Sequence, residues 1–83
     1  MSLHECLTRI LESLRKCYVS LDGLNDLIDV EVERLEERGV DFPTVVKVEA
    51  NYIFALKALG DAIMHIECLL AHLGRASKRG EGE

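Results

Sequence analysis

The chain has 83 residues, a length that suits one small domain and buries only about 60% or slightly more of its unfolded surface, so stability ordinarily needs a staple or a partner. Its net charge of −5 repels nucleic acid and anionic lipid, and no run of about 18 apolar residues is free of charge, so neither nucleic-acid binding nor a membrane span is expected. An apolar content of 48% with 5% aromatics and no tryptophan leaves a core of Leu, Ile, Val and Ala, which favours helices and excludes general disorder.

The three cysteines Cys6, Cys17 and Cys68 are odd in number and lack C-x-x-C spacing, so they read as small apolar side chains in a reducing compartment. The N-terminus has no signal-peptide pattern, and a cytoplasmic location is expected.

Ser2-Leu3-His4-Glu5 has the form of a capping box, so a helix begins at Leu3. From there Leu7, Leu14, Leu21, Ile28 and Leu35 hold one heptad position, while Leu3, Ile10, Cys17 and Leu24 hold another. Leu11, Tyr18 and Val32 widen the stripe, as in a helix packed within a bundle. Gly39 is the expected stop, and the pattern predicts a first helix over 3–38. Gly23, inside that helix, reads as a close-packing point or a slight kink.

Asp41 is the natural cap of a second helix, and Pro43 fits its first turn, where a missing amide costs nothing. Phe42, Leu56, Ile63 and Leu70 then share one heptad position, interrupted by Glu49, and Val45, Tyr52, Leu59, Ile66 and Leu73 share the other. Gly74 reads as the end, giving a second helix over 42–73, a helical domain over 1–74 and a polar, frayed tail over 75–83. The short connection makes the two helices an antiparallel hairpin.

The second helix carries more apolar surface than one partner helix covers, with Val46, Val48, Ala50, Ile53, Phe54, Ala55, Ala58, Ala62, Met64, Leu69 and Ala71 beyond its seam. The expected fold is therefore all-α, a two-helix hairpin that assembles into a four-helix bundle as a homodimer or higher oligomer. Ile53, Leu56, Ile63 and Leu70 are expected at the centre of the oligomer interface.

Three polar groupings compete with a purely structural reading. Asp61, His65, Cys68 and His72 share a helix face and could ligate a metal, with His4 and Cys6 at the same end of the hairpin. The same pattern suits a solvated outer stripe, and no tight ligand pair accompanies it. Between Asp22 and Asp41 eight acids face two bases, Arg34 and Arg38, which suits a soluble face or a docking site for a basic protein or a divalent cation. Glu31 and Glu49 occupy seam positions opposite one another across the hairpin. Carboxylates meeting there repel unless they are protonated, paired with Lys or Arg or bridged by a metal, or unless they flare into water near the loop.

Glu33-Arg34-Leu35-Glu36 and Leu59-Gly60-Asp61 resemble fragments of the all-α nucleotide pyrophosphohydrolases, over about a third of the chain. The resemblance implies magnesium-binding carboxylates on two helices of a dimeric bundle. The chain departs from that pattern at Ala58, where the family has a glutamate three residues before the aspartate. No catalytic residue and no cofactor are assigned. The expected function is a small oligomerisation or protein-interaction module working through helix 2 or the acidic segment, with a metal-binding or pyrophosphohydrolase-like protein using helix carboxylates as the alternative.

Overall fold

A computed structural model describes the backbone of residues 1–82 and the side chains of residues 1–77. The chain is all-helical, with no strand among the described residues: α1 spans Leu3–Asp22, α2 Asn25–Glu37 and α3 Phe42–Gly82. The Ser2 hydroxyl accepts the Glu5 amide at 3.1 Å, which satisfies one of the donors that open α1.

The single helix expected over 3–38 is two helices, with a break at Gly23–Leu24. The Gly23 amide donates to the Val19 carbonyl at 3.0 Å, the Leu24 amide reaches only back to Leu21 at 3.1 Å, and the ladder restarts with Ile28 donating to Leu24 at 2.9 Å. That tightened turn is a kink rather than a point of helix–helix packing. A Cβ added to Gly23 would meet its own helix at ordinary distances, the Val19 oxygen at 3.4 Å and the Ser20 oxygen at 3.5 Å, and no neighbouring helix within 4 Å.

Tyr52 of α3 holds the break. Its hydroxyl donates to the Leu21 carbonyl at 2.6 Å, which also accepts the Leu24 amide, and lies 3.2 Å from the Asp22 carbonyl, so the end of α1 gains a partner on another helix. Tyr52 as a whole is 8% exposed, and its hydrogen bonds to these carbonyls are part-buried.

The end of α2 follows the expected signal. Gly39 takes φ 79°, which only glycine adopts without cost. Its amide donates to Glu36 and that of Val40 to Leu35, both at 3.0 Å, closing the helix end in a Schellman arrangement. Gly74 is different: among the described residues Gly39 alone has positive φ, and α3 continues through Gly74 to Gly82 rather than ending at residue 73. The segment read as a tail over 75–83 is therefore helical as far as Gly82. A glycine inside a helix lowers its propensity, but stopping the helix takes a left-handed turn that redirects the chain.

Asp41 caps α3 through Thr44, whose amide donates to the carboxylate at 3.1 Å and whose hydroxyl lies 2.8 and 2.9 Å from its two oxygens. The Thr44 hydroxyl, and then its amide, holds the Asp41 carboxyl below the ordinary value of 3.8. A group with a lowered folded pKa contributes stability that is complete above the unfolded value and is lost as pH falls through the folded one. Asp41→Ala is accordingly expected to lower the melting temperature at neutral pH, and the gap to the natural chain should close as pH falls below 3.8. A gap of constant size across that range would remove Asp41 from the cap.

Helices α1 and α2 both pack along α3. Arg15 pairs with Glu67 at 3.1 Å, the ring of Tyr18 lies 3.6 Å from where a Cβ on Gly60 would stand, and Leu3 shares a cavity with Leu73 and Gly74. The seam is thin. Among the described residues only Leu11, Val32, Val45 and Tyr52 are buried. The molecule measures 67 × 19 × 16 Å, with a radius of gyration of 19.2 Å, whereas a compact chain of this length has about 12 Å.

Candidate functional site

A helix presents a continuous stripe to its neighbour, and whatever apolar residues lie outside that stripe stay in water unless another chain covers them. On α3 the residues facing α1 and α2 include Val45 and Tyr52, with Leu59, Ile66 and Leu73 half-buried along the same row. One step round the helix, Phe42 is 76% and Ile53 59% exposed, and Val46 and Met64 are exposed with them. Phe42, expected in the seam, is instead among the most open apolar residues, because the seam on α3 begins at Val45.

Of the four expected interface residues, Ile53 alone is widely exposed. Leu56, Ile63 and Leu70 are half-buried, turned toward the seam within the chain. A second open row runs along α1 and into the break after it, where Leu3, Ile10, Cys17 and Leu24, at seam positions of the heptad, are all exposed. The cause is the narrowness of one facing helix: α3 covers the stripe through Leu11 and Tyr18 and leaves the adjacent row bare. Cys17, Leu21, Leu24 and Leu59 edge an open groove of about 540 Å³ between the two helices. Leu27 and Val30 of α2 are exposed as well.

The polar candidates sit on outward surfaces. Asp61, His65, Cys68 and His72 are exposed on the side of α3 away from the seam. Asp61 pairs with Lys57 at 3.7 Å, and His72 Nδ1 lies 2.8 Å from the Arg75 guanidinium. Eleven residues of helix carry that set along about 16 Å, too far for one ion. Glu31 is half-buried and turns its carboxylate to Arg34 at 3.6 Å, while Glu49 is exposed. Among the described residues no three His, Cys, Asp or Glu side chains stand together as a metal site, so the expected ligands Glu31, Glu49, Asp61, His65, Cys68 and His72 are not gathered into one centre within the chain. His4 lines a cavity with Leu73, Gly74 and Ser77 at the open end of the helices, without Cys6 or His72.

The polar group that reaches the helix break is the hydroxyl of Tyr52, a residue that the heptad marks only as part of the apolar seam. Tyr52 was placed in the seam by its heptad position, and its hydroxyl was given no role. The signal available was chemical: a buried phenol needs a hydrogen-bond partner, and the nearest unmet acceptors are at a helix end.

Comparison of the chain with family models, with curated proteins and with solved structures finds no match. No helix among the described residues is long and apolar enough to cross a membrane. The feature that distinguishes this surface is the amount of apolar area the chain leaves open.

Proposed function

We propose that the chain is a helical self-association module, non-catalytic, acting in the cytoplasm as an interaction or scaffolding element, with a four-helix bundle of two helical pairs as its simplest assembly. The observation that carries this reading is surface area. The chain exposes 6419 Å², whereas a compact monomer of its mass exposes about 5,000 Å². The difference is of the order that each partner loses in a specific interface, about 800 Å² or more. Exposed apolar residues on α1 and α3, Ile10, Phe42, Ile53 and Met64 among them, contribute to that area.

The area also bears on stability. With four buried residues among those described, the chain has little core to offset the entropy of ordering its backbone, about 1 to 2 kcal/mol per residue. Association supplies the missing burial, and it makes folding depend on concentration. The melting temperature is expected to rise steadily as chain concentration increases over about a hundredfold range. A melting temperature independent of concentration, with helicity intact at the lowest point, would overturn the reading.

A further inference from the structure

The open row on α3 has a symmetry of its own. Phe42, Val46, Ile53 and Met64 are separated by four, seven and eleven residues, steps that return a helix to nearly the same side. Phe42 and Met64 each lie eleven residues from Ile53, Val46 and Gly60 lie seven, and Glu49 and Lys57 lie four. A two-fold contact requires this kind of pattern, because each residue that meets a second must itself be met by the first residue's copy.

Resting on the self-association reading, we infer that a second copy of this chain lies antiparallel along α3, with the two-fold axis at Ile53. That register sets Ile53 against its own copy, Phe42 over Met64, Val46 over Gly60, and Glu49 level with Lys57. Large side chains then meet large ones at the centre and ends of the row. The two Val46 side chains fall where Gly60 leaves the backbone open, so the helices can approach closely. Packing within the chain does not itself call for a glycine at that position: a Cβ on Gly60 would meet Tyr18 at an ordinary 3.6 Å. The contact between copies gives the glycine a use.

Charge points the same way. Glu49 takes part in none of the ion pairs among the described residues, while Lys57 is held only by a partly exposed Asp61 at 3.7 Å. Across the axis each Glu49 carboxylate stands level with a Lys57 ammonium, twice per dimer. The row along α1 and the break after it, by contrast, presents Leu3, Ile10, Cys17 and Leu24 with no charged residue at the same heptad position.

A residue on a two-fold axis meets itself, which makes the register directly testable. In a chain carrying Cys6→Ser, Cys17→Ser and Cys68→Ser, an added Ile53→Cys should form a disulfide-linked dimer under copper-catalysed air oxidation, and Ile10→Cys in the same background should not. Lys57→Glu or Glu49→Lys alone should weaken the dimer about tenfold, and the two together should restore it. A protein that is dimeric by light scattering, yet cross-links through Ile10→Cys and not Ile53→Cys, would overturn this interface and leave self-association standing. A folded monomer in the background protein would overturn both.

Discussion

Replacing Val45 with Asp is expected to abolish cooperative folding at neutral pH. Val45 is 2% exposed, the most enclosed of the four buried residues, and it sits in the first turns of α3 where the chain has just reversed direction. A carboxylate placed there without a basic partner costs several kcal/mol. Small domains hold about 5 kcal/mol in total, and one with so thin a seam has no reserve to absorb the loss. The effect should exceed that of Asp at Ile63, which is half-buried and can turn a carboxylate toward water. Far-ultraviolet circular dichroism through a thermal ramp checks the result. A Val45→Asp chain that still melts in one sharp transition would mean that this position opens to solvent.

Tyr52→Phe should have the next largest effect, with a different signature. The substitution keeps the ring and removes only the hydroxyl, which takes the cross-helix donor from the Leu21 and Asp22 carbonyls at the end of α1 and leaves that of Leu21 with the Leu24 amide alone. The melting temperature should fall by several degrees, and amide exchange should quicken on both sides of the Gly23–Leu24 break while α3 changes little. Alkaline behaviour separates this hydroxyl from any other. Burial, and after it the negative charges of Asp22 and Asp29 and the neighbouring Tyr18, push the Tyr52 phenol above its ordinary value of 10.0. A group whose folded pKa is raised contributes stability that is complete below the unfolded value and is lost as pH rises through the folded one. The natural chain should therefore lose stability above pH 10.0, and the Phe variant should show a smaller loss over the same interval. Equal losses in the two proteins would detach Tyr52 from the helix break.

The all-helical class was legible in the sequence because heptad spacing and capping chemistry are local. Ser2, Asp41 and Gly39 act where their residue types place them, since each needs only its own neighbours within four or five residues to form its hydrogen bonds. Gly74 was misread because a glycine marks a permitted stop, and whether the chain turns there depends on contacts beyond it. The break at Gly23 was missed in extent for a related reason. Its cost is met by Tyr52, thirty residues away, and periodicity does not say which helix end a seam hydroxyl will reach.

The candidate site was legible as an excess and not as a location. Counting apolar residues on α3 showed more than one helix could cover, and Val46, Ile53 and Met64 were in that surplus. Which row faces inward depends on a rotation of the helix that neighbouring heptad positions barely distinguish, so the heptad puts Phe42 inside, where the structure has it 76% exposed. The His/Cys set shows the converse. Shared helical facing is readable from spacing, but a metal centre also needs ligands converging from more than one direction, and the outward side of α3 has no second helix to provide them.

Self-association is tested most directly by the mass of the chain in solution. Multi-angle light scattering at tens of micromolar chain, in reducing buffer so that no cysteine can cross-link, should give twice the 9.3 kDa of one chain or a higher whole multiple. A mass of 9.3 kDa from protein that is fully helical and melts cooperatively would contradict it.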